Sequence, residues 1–167
     1  LAVLVLGNLW LLVAPDLLQA FSGRGYRLEA ESGLQAANDE RARVVFDEHW
    51  YDAEHRSDRY WRWADGDATF AVVNPHGRAV IASVEFYLDG IDQRQATVEF
   101  GGRKVWTGMI ARKHDARIAF DEIELQPGDN VFRITTDRPA KSVGIEAPRP
   151  IGFSLRNLRV RLLRFAP

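Results

Sequence analysis

An alternation of apolar and polar side chains with a period of two constrains the fold of this chain most strongly. It is clearest in AVIASVEFYLD, residues 79–89, where the polar positions include Ser83, Glu85 and Tyr87. The positions between them form an unbroken apolar row: Val80, Ala82, Val84, Phe86 and Leu88. Successive side chains of a β-strand point to opposite faces of the sheet, so this pattern predicts a half-buried strand.

Shorter segments with β-type patterning occupy most of the chain after residue 25, and turn motifs such as ADGD, NPHG, FGG and QPGDN separate them. The predicted strands are 26–31, 43–46, 60–64, 68–73, 96–100, 103–108, 116–125, 130–136 and 152–165. Many short strands at this spacing predict an all-β fold, an antiparallel β-sandwich of jelly-roll type. We expect a single β-sandwich domain over residues 26–165.

The first stretch, LAVLVLGNLWLLVAP, has a different character, because residues 1–14 carry no charge. Fourteen helical residues reach about 21 Å, which is less than the roughly 30 Å of a bilayer core. A buried core helix and a signal-peptide core are alternatives. The pattern favours the end of a truncated transmembrane helix with its membrane exit, residues 1–21. The first basic residue is Arg24, which favours a membrane-anchored domain on the periplasmic or extracellular side.

Charge and cysteine content exclude several classes of function. The chain has 22 Lys and Arg against 23 Asp and Glu, so it lacks the basic excess of a nucleic-acid-binding protein. It has no cysteine, which excludes disulfides, thiolate zinc sites and cysteine nucleophiles. The four histidines lack metal-ligand spacing, and no pair of carboxylates stands out as an acid–base pair. We therefore predict no catalytic residue, no metal site and no cofactor.

Residues 49–63, HWYDAEHRSDRYWRW, concentrate aromatic side chains. If residues 59–64 form a strand, Trp61 and Trp63 share one face, and Tyr60 and Arg62 share the other. Each buried indole removes on the order of 200 Å² from water. The pattern therefore predicts that the two tryptophans belong to the core.

The preceding residues read as a long loop that suits sugar binding. Rings such as Trp50 and Tyr51 stack on the apolar C–H faces of sugars, while Asp52, Glu54 and nearby basic groups bind the hydroxyls. Loop aromatics also pack back onto the rim of a sandwich, and that alternative stays open. A metal site built from the acidic and histidine side chains of this loop is less simple than a solvated loop.

Four arginines occupy the last predicted strand, at positions 156, 159, 161 and 164, around an apolar set that includes Leu158, Val160 and Leu162. The simplest interpretation is a strand with one wet, basic face. Contact with anionic lipid headgroups is a secondary interpretation, given a membrane anchor nearby.

These segments together resemble a known kind of domain. RLEAESG, HWYDAE, RYWRWADGDATFAV, LQPGDNVFRI and RPIGFSLRNLRV are similar to the soluble β-sandwich at the C-terminus of some bacterial polytopic membrane proteins, including glycosyltransferases that use lipid-linked sugars. That group implies a Trp–Tyr pair, a following Glu and an Arg–Trp dipeptide. The matching positions are Trp50, Tyr51, Glu54, Arg62 and Trp63, whereas His49 replaces the usual glycine.

Two further likenesses involve sugar-binding proteins. The L-x-P-G-x-N pattern recurs in sugar-binding jelly-roll domains of glycoside hydrolases. The EAE motif is similar to carbohydrate-binding modules whose first strand supplies a calcium-ligating glutamate, which implies Glu29 or Glu31 as a ligand. Pairing with the C-terminal arginines explains these two glutamates equally well.

The expected function is that of a non-catalytic accessory domain of a membrane protein, a glycosyltransferase by resemblance. It would bind or position a glycan or lipid-linked sugar near the membrane, with the N-terminal helix as anchor and the rest of the parent protein as partner. The predicted ligand-binding residues are Trp50, Tyr51, Asp52, Glu54 and Arg62. The alternatives are a structural or protein-interaction β-sandwich without sugar binding, and a free-standing hydrolase with two carboxylates in a cleft.

Overall fold

A computed structural model describes residues 42–56, 59–144 and 148–167. Its strands are β1 (Arg43–Phe46), β2 (Glu54–Arg56), β3 (Arg59–Ala64), β4 (Ala68–Asn74), β5 (Val80–Gly90), β6 (Arg94–Phe100), β7 (Arg103–Ile110), β8 (Ala116–Leu125), β9 (Gly128–Thr136), β10 (Lys141–Val143), β11 (Arg149–Ile151) and β12 (Phe153–Phe165). In these ranges no helix is long and apolar enough to cross a membrane. The predicted membrane segment, residues 1–21, and the predicted strand 26–31 with Glu29 and Glu31 lie outside the described residues.

The strands form two five-stranded antiparallel sheets. Sheet A has the order β1-β4-β9-β6-β7, and sheet B has the order β2-β3-β12-β5-β8. The remaining pair, β10 and β11, is a separate two-stranded sheet. The prediction of an all-β antiparallel fold is thereby confirmed for the described part of the chain.

One hydrophobic core fills the space between the two sheets. Alternation along β5 buries its whole apolar row, from Val80 to Leu88, as predicted. Phenylalanine rings join the layers: Phe86 of sheet B lies edge-on to Phe70 of sheet A at 5.5 Å, and Phe70 stacks on Phe132 at 4.9 Å. Contacts of this kind stabilise a core beyond the area that they bury. The predicted sandwich is therefore present.

The turn before β9 also forms as its sequence predicts. Gly128 has φ of 84°, a left-handed conformation that glycine adopts without steric cost. Asn130 closes the turn, because its Oδ1 accepts a hydrogen bond from the Gln126 amide at 2.8 Å and its Nδ2 donates to the Gln126 carbonyl at 2.8 Å. This turn is structural and lies in sheet A.

Candidate functional site

Trp50 lies where the chain crosses from β1 of sheet A to β2 of sheet B. Its side chain is only 1% exposed, and its Nε1 donates a hydrogen bond to the Thr69 carbonyl at 2.7 Å. Phe46 and Phe153 pack edge-on against the indole, each at 5.5 Å. The structure therefore agrees with the alternative in which this loop ring packs back onto the sandwich. The indole closes the end of the core and does not reach a ligand at the surface.

Arg62 is also turned inward, and it is 6% exposed. Its guanidinium lies 4.6 Å from the centre of the Phe46 ring, and its Nη1 donates to the Tyr51 carbonyl at 3.0 Å. The long side chain thus covers apolar surface while its charged end binds the backbone. Arg62, predicted from resemblance as a ligand contact, instead holds the loop that carries Tyr51.

Trp61 and Trp63 occupy the opposite face of β3 from the one predicted. Arg62 aligns with Leu155 of β12, which is buried in the core. Trp61 and Trp63 therefore project from the outer face of sheet B, the face turned away from sheet A. Both indoles are half-buried and belong to neither the core cluster nor its apolar fringe. The prediction that they are core residues is wrong.

Strand register shows which side chains accompany the two tryptophans on the outer face of sheet B. Trp61 aligns with Arg156, and Arg156 aligns with Tyr87 on the next strand. Trp63 aligns with Ser154, which in turn aligns with Asp89. Directly opposed positions in a sheet have Cβ atoms about 5 Å apart. Across β3, β12 and β5, one row therefore consists of Trp61, Arg156 and Tyr87, and a second row consists of Trp63, Ser154 and Asp89.

The orientation of Trp61 is fixed by a chain of polar contacts. Its Nε1 donates to Glu54 Oε2 at 3.0 Å, and Glu54 Oε1 accepts from Arg149 Nη2 at 2.6 Å. Arg149 also lies 4.8 Å from the centre of the Tyr51 ring, and the Tyr51 hydroxyl donates to the Pro150 carbonyl at 2.8 Å. The structure thus brings the predicted residues Tyr51 and Glu54 to the rim of the outer face of sheet B.

Asp52, the remaining predicted ligand contact, is exposed in the loop between Tyr51 and β2. Its ligand-binding role stays a prediction, as do those of Tyr51 and Glu54. Trp50 and Arg62 are buried beneath this loop, and Arg62 binds the Tyr51 carbonyl. The predicted ligand-binding residues therefore fall into two groups: Trp50 and Arg62 are buried, whereas Tyr51, Asp52 and Glu54 lie at the rim of the outer face.

At the other edge of this face, the loop between β7 and β8 approaches β12 and β5. Asp115 forms an ion pair with Arg156, and the backbone of Lys113 hydrogen-bonds the Asp89 carboxylate. Burial raises the pKa of Asp89, and the positive charge of Arg156 opposes that effect. Asp89 is thus held in a less polar setting than a carboxylate at an open surface.

Three buried polar atoms in this region have no hydrogen-bond partner among the described residues: Asp89 Oδ1, Ser154 Oγ and Arg156 Nε. Such atoms are uncommon in folded proteins, and they require an explanation such as a bound water, ion or ligand. In the register of sheet B, Ser154 is aligned with Trp63 and with Asp89, and Arg156 is aligned with Trp61. This part of the face therefore has hydrogen-bonding capacity that the described residues do not use.

A pocket of about 160 Å³ lies further along the same face. Its polar lining comprises Ser83, Glu85, Arg117, Asp121, Arg159 and Arg161. Arg117 Nε donates to Glu85 Oε1 at 2.7 Å, and this contact lowers the pKa of the Glu85 carboxyl. The Tyr87 hydroxyl donates to the same oxygen at 3.2 Å. Glu85 therefore stays charged and links the pocket to the row that contains Tyr87.

The outer face of sheet B also presents two carboxylates of β5. Glu85 and Asp89 are the two carboxylates that β5 directs outward, and four residues of strand separate their backbones by about 13 Å. Glycoside hydrolysis uses carboxyl groups about 5–9.5 Å apart, so this pair lacks the required spacing. Within 42–56, 59–144 and 148–167, no group of three His, Asp or Glu side chains could hold a metal ion.

Comparisons with known proteins find no matching family model. No curated protein matches the chain either. Among solved structures, the chain is similar to the CBM22-1 xylan-binding domain of Paenibacillus barcinonensis Xyn10C, with 9% identity over 74% of this chain and 87% of that chain and a TM-score of 0.44. It is also similar to TmCBM61 in complex with β-1,4-galactotriose, with 12% identity over 71% and 86% and a TM-score of 0.40. A family 35 carbohydrate-binding module from Clostridium thermocellum gives 11% identity over 70% and 86% and a TM-score of 0.35. These values are too low to place this chain in a family.

Proposed function

We propose that this β-sandwich is a non-catalytic glycan-binding module and that its ligand lies on the outer face of sheet B. The observation that carries the proposal is the outward orientation of Trp61 and Trp63, beside charged and hydroxyl groups. An indole on a sheet face offers the flat apolar surface that pairs with the C–H face of a sugar ring. The partly exposed side chains of Glu54 and Arg149, beside Trp61, offer an acceptor and donors for hydroxyl groups.

Pre-organisation supports this role. The Trp61 indole is hydrogen-bonded to Glu54, and Glu54 is paired with Arg149, so the ring is held before any ligand arrives. A side chain that is already ordered loses less conformational entropy on binding. Tyr51 lies beside Arg149 at the rim, Asp52 is exposed in the same loop, and we retain both as ligand contacts.

We further propose that the module belongs to a larger membrane protein, a glycosyltransferase, and acts on the periplasmic or extracellular side. The uncharged stretch 1–14 and the resemblance described above support this context. The test is protease accessibility of the domain in intact cells and in inverted membrane vesicles that carry the full-length protein. Cleavage only from the cytoplasmic side would contradict the proposed orientation.

Binding is tested on a glycan array and by titration calorimetry with the 167-residue chain. Truncating an aromatic residue at the centre of a binding site costs about 2 kcal/mol or more, so Trp61→Ala and Trp63→Ala should each weaken binding about 30-fold. Trp106→Ala is the matched control, because this half-buried indole lies in sheet A. We expect the control to retain full affinity.

The same experiment distinguishes glycan binding from a structural or protein-interaction role. A folded wild-type chain that retains no glycan from the array would contradict the proposal and favour a structural or protein-interaction domain. Equal losses in Trp61→Ala and Trp106→Ala would show that stability, not contact, governs binding. Circular dichroism of each variant is therefore recorded beside the titration.

A further inference from the structure

The four arginines of β12 have a spacing that a regular strand cannot place on one face. Positions 156, 159, 161 and 164 mix even and odd numbers, whereas strand side chains alternate strictly. The register nevertheless aligns all four with outward positions of β5: Arg156 with Tyr87, Arg159 with Glu85, Arg161 with Ser83 and Arg164 with Ile81. All four arginines therefore lie on the outer face of sheet B.

Two β-bulges in β12 produce this alignment. The first lies between Arg156 and Arg159 and contains Asn157, which has φ of 49°. The second lies between Leu162 and Arg164. A bulge adds one residue to one strand and changes the face to which the following side chains point. The strand thereby keeps Leu155, Val160 and Leu162 in the core while it directs each arginine outward.

Carboxylates neutralise part of this positive charge. Arg156 pairs with Asp115, and Arg164 Nη1 lies 2.8 Å from Glu122 Oε1. Arg159 is exposed and takes part in none of the ion pairs that involve described residues. It stands beside Glu85, whose carboxylate is bound by Arg117. A cationic group is thus available at the pocket described above.

The lining of that pocket is rich in guanidinium groups. Three guanidinium groups, Arg117, Arg159 and Arg161, face two carboxylates, Glu85 and Asp121. Guanidinium groups bind carboxylate, sulfate and phosphate oxygens through charge-assisted hydrogen bonds that are about twice as strong as neutral ones. The pocket therefore suits an anionic group more than a neutral hydroxyl group.

Position along the strand connects the pocket to the tryptophans. Glu85 precedes Tyr87 by two residues on β5, which corresponds to about 7 Å, and Tyr87 shares its row with Arg156 and Trp61. We propose that the ligand is an acidic glycan: its sugar rings contact Trp61 and Trp63, and a carboxylate, sulfate or phosphate substituent enters the arginine pocket. This inference rests on the proposed function and specifies the class of its ligand.

The test compares acidic and neutral members of one glycan array: uronate-containing oligosaccharides against their methyl esters, and sulfated against unsulfated chains. We expect the wild-type chain to prefer the acidic member about tenfold, and we expect added NaCl to reduce that preference. Arg159→Gln combined with Arg161→Gln should abolish the preference while binding of neutral glycans persists. The matched control is Arg103→Gln with Arg133→Gln, which removes two exposed arginines from sheet A.

Each outcome has a distinct meaning. Equal binding of acidic and neutral glycans, lost in Trp61→Ala, would overturn the acidic specificity and leave glycan binding in place. Retention of no glycan at all would overturn both proposals. A third arm uses phosphatidylglycerol-containing vesicles against pure phosphatidylcholine vesicles. Arginine-dependent vesicle binding without retention of acidic glycans would overturn the inference in favour of a lipid surface.

Discussion

Replacing Trp50 with alanine should destabilise the domain strongly, because the indole is 1% exposed and fills the end of the core. Burial of about 200 Å² at about 25 cal/mol per Å² contributes about 5 kcal/mol, and measured losses for Trp→Ala in cores are about 3–5 kcal/mol. The substitution also leaves the Thr69 carbonyl without its 2.7 Å donor, at a cost of about 1 kcal/mol. We expect a total loss of about 5 kcal/mol in the free energy of unfolding.

Urea unfolding followed by tryptophan fluorescence measures this loss, and thermal unfolding should show a decrease in Tm of about 10 °C. Trp50→Phe isolates the hydrogen bond, since it keeps an aromatic ring in the cavity. Tyr60→Ala is the exposed aromatic control, because Tyr60 is 52% exposed. A Trp50→Ala variant with wild-type stability but no glycan binding would refute the reasoning and return Trp50 to the ligand site.

Three further predictions concern charge and backbone. Asp65→Asn should lower the pKa of His49 in an NMR titration, because the hydrogen bond that His49 Nδ1 donates to the Asp65 carboxylate is the main cause of the raised pKa. The stability from this pair is fully present below the unfolded value near 6.5 and is lost as the pH rises through the folded value, and urea unfolding across that range checks it. Arg94→Ala should cost about 3 kcal/mol or more in urea unfolding, because this guanidinium is fully buried and ion-paired. Gly128→Ala should lower the free energy of unfolding by about 1 kcal/mol through its φ of 84°, whereas Gly77→Ala, which meets no atom within 4 Å, should change it little.

The fold was predictable where the two faces of a strand differ clearly in polarity. β5 is such a strand: its apolar positions are all buried, and its polar positions Ser83, Glu85 and Tyr87 all face outward, as alternation predicts. The turn at Gly128 was predictable for a local reason, because proline, glycine and asparagine at fixed offsets specify a turn without tertiary information.

β3 was not predictable in this way, because hydrophobicity suggests the wrong face. Trp61 and Trp63 are more apolar than Arg62 and Ala64, so alternation alone assigns the tryptophans to the core. Pairing with β12 decides otherwise, because it places Arg62 opposite the buried Leu155. Information about the partner strand was needed, and the sequence of β3 alone does not contain it.

The candidate site was hidden for a related reason. Its outer face combines β3, β5 and β12, and the arginines of β12 reach it only through bulges that strand periodicity does not reveal. The burial of Trp50 could not be predicted either, because in sequence a segment that crosses between two sheets resembles a loop. What the aromatic segment did indicate correctly was the neighbourhood: Tyr51 and Glu54 lie beside Trp61 at the rim.

β12 lies in the middle of sheet B, yet the ribosome makes it after both of its neighbours, β3 and β5. Each of these two strands is therefore synthesised with one unpaired edge, and that edge stays unpaired until β12 has been synthesised. Unpaired strand edges promote aggregation, and pairing across long sequence separations is slow. Nascent chains that stop before Phe153 should therefore depend on chaperones, and the tryptophan and arginine surface exists only after Phe165 has been translated and docked.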